Sequence, residues 1–445
     1  KPKIGLAVVG RVNFDVAYAE EKLQKALETL KLVDADFIGE PKILFDADAA
    51  AAAVPALTAE PLDLLLILQV TFADATMTLG LTEAVDAPVM MWSFPEPRTG
   101  GRLRLNSFCG VNLAAHALSR RGKSIDYVHG EPDDASAAGK IATAAKAAAL
   151  VRRFKSTKLL VVGEHPDGFD PCDFDAGELA SRFGITVDQQ PVKAFIEEVK
   201  AAPEDLADNG WARRSHEFGN LAEMDEVATR KTLKIHGCLS QRAKDKGYAG
   251  IAVRCWPDFF IDYGCAACGA LALLNEDRIP AGCEADVYGV ITSLLLQWAS
   301  DDGAVFNSDL VDIDTKDDTV VFWHCGQAPI DMADPEAETR ATVHSNRKMP
   351  LLSEFPLKPG RITVARLSRS GGSLRLMLAG GEMIRRPLAF SGTAGVARLD
   401  ASAASYLETI ISEGLEHHTA VVYGEHRPVL RAFAKRLGIP VVEMA

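Results

Sequence analysis

Apolar residues in the first two-thirds of the chain fall into short unbroken runs separated by segments of helical period. Residues 3–10, 63–70 (DLLLILQV), 88–94 (PVMMWSF), 158–162 and 249–255 are of strand length and almost wholly apolar. That is the pattern of parallel strands buried on both faces. Residues 16–32 carry Glu and Lys on one face, as a surface helix does. The Ala-rich stretches 47–59 and 134–150 predict further helices, because Ala is the strongest helix former. Pro55 predicts a stop or kink in the first of them. After Gly326 the period falls to two, over residues 361–367, 373–379 and 396–399, with Gly-Gly turns between. The expected fold class is α/β: two doubly wound α/β domains, residues 1–156 and 157–316, then a C-terminal domain, 317–445, with an antiparallel β-barrel.

In such sheets, ligands bind beyond the carboxyl ends of the strands. That rule singles out Arg11, Gln69, Thr71, Phe72, Arg98, Arg104 and Asn106 in the first domain. Beyond the strand at 249–255 stands Trp256, suited to stacking on a ligand but as readily a packing residue. The loop GEHPDGFDPCDFD after residue 162 is rich in acids but lacks calcium-loop spacing, leaving a substrate-side loop or a solvated turn.

Metal-type chemistry concentrates in residues 281–326. Glu284 opens a helix-period run, so helix capping alone could account for it. Asp309 sits in a short polar break after Phe306, and His324 ends an apolar strand. An acid among apolar residues is costly to bury unless paired or metal-bound. Far downstream, His417 and His418 stand together before an apolar strand, plausible as ligands or proton-transfer groups.

Composition changes the picture little. The 445 residues are 48% hydrophobic and 24% charged, with a formal net charge of −13 and no basic cluster that suggests nucleic acid. No apolar run reaches the length of a membrane span. Eight scattered cysteines point to a reducing cytoplasm rather than a disulfide scaffold. Cys265-Ala-Ala-Cys268 lacks a second pair at zinc spacing and reads as buried small residues. Walker, GxGxxG, GxSxG and HExxH motifs are missing.

The order of motifs is more specific than any one of them. A strand ending in CWP, then CEADV, an SDL acid, a WHCG turn, and a GxxHH before a strand ending in YG resemble the L-fucose isomerase/L-arabinose isomerase family. The resemblance is strongest over residues 251–329 and 413–424. It implies an aldose–ketose isomerase with a divalent metal, Mn²⁺ first and Mg²⁺ or Co²⁺ next. Its metal ligands fall on Glu284, Asp309 and His418, with His324 a further ligand or a neighbour of the ligands. It also implies a homo-oligomer, trimer or hexamer, whose active site lies between subunits, with Arg11 a substrate contact. With Thr71, Phe72, Asn106, Trp256, His324 and His417, Arg11 makes up the expected sugar-binding set.

Moving a carbonyl between C1 and C2 requires a proton to leave one carbon and return to its neighbour. A metal on O1 and O2 would stabilise the cis-enediolate, and Glu284 and Asp309 would serve as ligands and acid/base groups together. The sugar could be a pentose, a 6-deoxyhexose or a sulfonated hexose such as sulfoquinovose; Arg98, Arg102 and Arg104 form one cluster that reads as a solvated, subunit-facing loop or as a seat for an anionic group. A non-catalytic sugar-binding or sensing protein, and a lyase or epimerase using the same enediolate, are the alternatives.

Overall fold

The computed structural model describes residues 1–444 as two compact units, Lys1–Arg152 and Arg153–Ala445. In the first unit the apolar runs become a parallel sheet. Its strands are β1 (Lys3–Val9), β2 (Asp36–Ile38), β3 (Ile43–Leu44), β4 (Leu64–Gln69), β5 (Val89–Ser93) and β6 (Ile125–His129). The order is β2-β1-β4-β5-β6, with β3 also on β1. Every residue of β4 is buried, which explains its unbroken hydrophobicity: both faces are covered. Helix Val16–Leu30 is capped by Asp15, whose side chain accepts from the Tyr18 amide. Pro55 neither stops nor kinks its helix at once. The helix runs Ala47–Leu57 with Pro55 in its last turn, where few amide bonds remain to be lost.

The second unit holds two sheets. The smaller comprises β7 (Lys158–Val162), β8 (Thr186–Gln190), β9 (Gly250–Val253) and β10 (Ala281–Gly282), in the order β10-β9-β7-β8. All of its pairings are parallel.

The larger sheet has nine strands: β11 (Val305–Asp314), β12 (Thr319–His324), β13 (Arg340–Thr342), β14 (Leu352–Pro356), β15 (Gly360–Ser368), β16 (Arg375–Ile384), β17 (Thr393–Leu399), β18 (His418–Tyr423) and β19 (Val441–Glu443). It is mixed, not the purely antiparallel barrel anticipated. β14 joins β17, and β19 joins β16, in parallel, because β14 follows a long irregular segment and β19 follows a helix, Arg427–Arg436. Six of its strands nevertheless pair antiparallel in a closed circuit, β12-β11-β18-β15-β16-β17 and back to β12. Among the described residues, no helix is long and apolar enough to cross a membrane.

The cysteine expectation needs correction. Cys255 and Cys283 form a disulfide with a Cα–Cα distance of 5.7 Å, which removes the ground that scattered cysteines supply for a reducing compartment. They are 28 residues apart, but β9 and β10 pair with Ile251 opposite Ala281 and Ala252 opposite Gly282. Each cysteine therefore leaves the same end of the same strand pair. Replacing both by Ala should lower stability by about 3–4 kcal/mol, from the loop-closure entropy of a loop of this length. Denaturant titration without reductant reads this, and an unchanged midpoint would show that the link contributes nothing.

Candidate active site

Three adjacent strands bring the expected ligands together. Asp309 lies within β11, not in a polar break, and stands directly opposite His418 of β18 and Trp323 of β12. The Asn-Ser-Asp run has the polarity of a break, yet its residues sit inside the strand, all paired with β18 and Asp309 with β12 as well. His324 ends β12. His417 precedes β18, so the alternation of side chains along a strand does not turn its ring away from that of His418. The two rings lie 4.1 Å apart.

Glu284 does not open the helix. It occupies a short turn, Cys283–Ala285, in the left-handed region at φ 57°, a conformation uncommon for a residue with a side chain. The helix Val287–Ala299 is capped instead by Asp286, whose Oδ1 accepts from the Gly289 amide at 2.9 Å. Capping is thus performed two residues on, and the Glu284 carboxylate is free to face the histidines. Its Oε1 accepts from the Trp256 indole at 3.1 Å. Its Oε2 lies 3.2 Å from His417 Nε2 and 3.6 Å from His418 Nε2.

Behind the histidines lies a buried charge network that the sequence reading did not single out. His418 Nδ1 meets Asp286 Oδ2 at 2.8 Å. Asp286 in turn holds Arg366 of β15 through two bonds of 2.5 and 3.0 Å. Arg366 also donates to the Pro171 carbonyl at 3.0 Å. Both Asp286 and Arg366 are buried. A Cβ at position 289 would collide with the Asp286 carboxylate and crowd the Arg366 guanidinium, so only glycine seats this pair. The visible signal was the second acid of Glu-Ala-Asp. Arg366 gave none, being one arginine in an alternating strand.

The acid-rich loop after β7 is a wall of the site, not a solvated turn. Phe169 packs edge-on against Trp256 and His417, with ring centroids 5.3 and 5.9 Å away. Cys172 Sγ is 3.9 Å from Glu284 Oε2, and burial pushes that thiol up to about 11.

The donor set suits a cation. Asp309 Oδ1 and His418 Nε2 are buried 3.1 Å apart, His324 Nε2 is buried with no hydrogen-bond partner, and the three residues offer ligand atoms within 4.8 Å of one another. Three ligand atoms converging in one buried site, that of His324 with no partner at all, fit a cation as occupant. Burial by itself would raise the Asp309 carboxyl, but the histidines beside it, His324 and the hydrogen-bonding His418 first, bring it down to about 2. Glu284 is likewise held below its usual range against burial, by the His417 bond, the His418 charge and the Trp256 indole. Burial would lower the His418 pKa, yet the Asp286 and Asp309 carboxylates reverse the sign. Electrostatics that favour a proton on His418 favour a metal cation in its place. The Asp286–His418 pair has the form of a carboxylate–histidine–metal relay: Nδ1 is committed to Asp286, leaving Nε2 as the ligating atom.

The remaining expected residues lie together in the first unit, at the carboxyl edge of its sheet. The Thr71 hydroxyl accepts from the Arg11 amide at 2.8 Å, and the Arg11 side chain pairs with Asp74. The Phe72 ring contacts Phe14 at 5.9 Å. Asn106 precedes a helix at φ 52°, and its amide is held by Glu96 Oε2 at 2.6 Å. Of the arginine cluster, Arg104 is tied to Asp15 and covers the Tyr18 ring.

Residues 5–155 match the family model described as fucose/sulfoquinovose isomerase, N-terminal domain. Residues 322–445 match L-fucose isomerase, C-terminal domain. A sulfoquinovose isomerase of Priestia megaterium is 31% identical over 417 residues, covering 94% of this chain and 93% of that protein. The chain belongs to the fucose isomerase-like family. Sulfoquinovose isomerases of Alkalicoccus urumqiensis and of a Clostridium species are each 29% identical, over 387 and 436 residues. They cover 86% and 96% of the chain, and the same shares of their own lengths. This member of the fucose isomerase-like family is an aldose–ketose sugar isomerase. The matched family models leave residues 156–321 between them, the stretch that carries Glu284, Asp286 and Asp309.

Proposed function

We propose that this isomerase interconverts sulfoquinovose, a hexose with a sulfonate on C6, and the corresponding 2-ketose with the help of a divalent cation. The observation that carries the metal is the convergence of buried ligand atoms on Asp309, His324 and His418, with Glu284 3.6 Å from His418 Nε2. The similarity to sulfoquinovose isomerases along nearly the whole chain supports the substrate. Glu284, Asp309 and His418 would hold the ion, with His324 as a fourth donor. Carboxylate oxygens with one or two imidazoles suit Mn²⁺ best, then Mg²⁺ or Co²⁺, and suit zinc less well. The chemistry such an ion supplies when bound is polarisation of the carbonyl and stabilisation of the developing oxyanion.

The chain's own groups do the rest. Glu284 is the base that removes the proton from C2 and returns it to C1, through an enediolate of the sugar. Asp309 attends the hydroxyl proton that must move between O1 and O2. The Trp256 indole and His417 fix the Glu284 carboxylate from two sides, so little reorganisation remains at the moment of transfer. Asp286 and Arg366 hold the His418 ring in one tautomer. Phe169 and Trp256 shield the carboxylate from water. The reading includes a homo-oligomer, trimer or hexamer, checked by sedimentation.

The direct test is incubation of chelator-treated, re-metallated protein with sulfoquinovose, followed by detection of the 2-ketose. Turnover should vanish on chelation and return with Mn²⁺. Full activity in the metal-stripped protein would refute the metal role, and turnover of neutral aldoses alone would refute the substrate.

A further inference from the structure

A second feature borders the site on the far side of Trp256. The indole that donates to Glu284 Oε1 also lies beneath Arg347, whose guanidinium carbon is 5.6 Å from the Trp256 ring centroid and 4.9 Å from that of Phe260. Arg347 belongs to a short loop folded on itself. The His344 amide donates to the Met349 carbonyl at 2.9 Å, and the Lys348 amide to the His344 carbonyl at 2.8 Å. His344 Nδ1 accepts from the amides of Asn346 and Arg347, and its ring packs edge-on against Phe260. The loop thus holds Arg347 in place while its side chain stays exposed.

Among the described residues, the ion pairs include neither Arg347 nor Lys348, although the chain carries a net charge of −13. Two adjacent cations without a carboxylate partner, with Arg347 seated on the Trp256 and Phe260 rings beside a carboxylate site, form an anion seat. Trp256 touches both groups: its indole N–H meets the Glu284 carboxylate and its ring lies under the Arg347 guanidinium. A sugar with C1 and C2 at Glu284 and its body along Trp256 would direct its far end toward the loop. Guanidinium groups match tetrahedral oxyanions through paired N–H donors, and an aromatic platform keeps the guanidinium plane oriented.

We propose that Arg347, supported by Lys348, is the specificity-determining residue that receives the sulfonate on C6 of the substrate. The inference rests on the sulfoquinovose reading above and assigns a residue to it. Within the Arg98–Arg104 cluster Arg104 is already committed to Asp15, which leaves Arg98 and Arg102 as the rival anion contacts that the test includes.

The test compares Arg347→Gln and Arg347→Lys with the parent protein, Mn²⁺-loaded. KM for sulfoquinovose is measured alongside the inhibition constant of quinovose, its neutral 6-deoxy counterpart, as a competitor. In the parent protein the sulfonate should favour binding. Arg347→Gln should cut that preference about 10- to 100-fold, the value of a charge-assisted hydrogen bond, chiefly through KM, and Arg347→Lys should restore part of it. An unchanged preference in Arg347→Gln overturns the proposal. So does an equal loss for both sugars, which would mean that Arg347 merely packs on Trp256. A shifted preference in Arg98→Gln or Arg102→Gln, with none in Arg347→Gln, overturns it too. If the parent protein shows no turnover of sulfoquinovose, the substrate reading itself falls, a result distinct from normal turnover with an indifferent Arg347.

Discussion

Glu284→Gln should lower kcat by roughly 10²- to 10⁴-fold, the usual contribution of a positioned general base, in protein that still folds. The amide keeps the size of the side chain and an oxygen for the Trp256 indole, so the packing of the turn survives. What is lost is the charge that accepts the proton. Because the same carboxylate is expected to ligate the cation, metal content must be measured on the same sample, and excess Mn²⁺ supplied. A variant with full metal and parental turnover would strike Glu284 from the mechanism. A variant that regains turnover as Mn²⁺ rises would assign it to metal binding alone.

The second large effect lies one layer back. Asp286→Asn should weaken metal affinity about 10- to 100-fold, as loss of a carboxylate behind a ligating histidine does. It should also destabilise the fold by about 3–5 kcal/mol, because Arg366 is left charged and buried with half its partner gone. Both side chains are almost fully inaccessible, 0% and 1% exposed, so solvent cannot compensate. Denaturant titration of the metal-free protein separates the stability term from the affinity term, which titration with Mn²⁺ reads. Pairing Asp286→Asn with Arg366→Met removes the orphaned charge. The double variant should recover stability but not metal affinity. If Asp286→Asn retains both, the relay through His418 Nδ1 has no functional weight.

Asp286 shows where sequence reasoning ran out. The buried strands of both parallel sheets were legible because a strand covered on two faces has no polar alternation to hide it. Glu284, Asp309 and His418 were legible as a set through motif order. Their local settings were not. Glu284 was read as a helix start because the periodicity extends back from Val290, and nothing in one dimension distinguishes a capping acid from one displaced by a left-handed turn. Asp309 reads as a break because Asn307, Ser308 and Asp309 are polar in succession, and its strand pairs on one side with β18, more than a hundred residues on. The Cys255–Cys283 link, the Asp286–Arg366 pair and the Arg347 seat all join segments dozens of residues apart. Each partner taken alone is an ordinary cysteine, acid or arginine. The four residues of the first unit, Arg11, Thr71, Phe72 and Asn106, do lie at a strand edge as the α/β rule anticipates, which locates them without giving them a role.

The placement of Asp309, His324 and His418 on three neighbouring strands has a further consequence. Their spacing is fixed laterally, by main-chain ladders, and not by the ninety-odd residues that separate His324 from His418 along the chain. Within that length the flanking strands, Arg366 and His417 must stay, but the loops between strands can lengthen, shorten or change their charge while the reacting centre stays put. The loop bearing Arg347 is one of them. A lineage could therefore exchange one sugar tail for another by rewriting a surface excursion, leaving the proton-transfer machinery untouched.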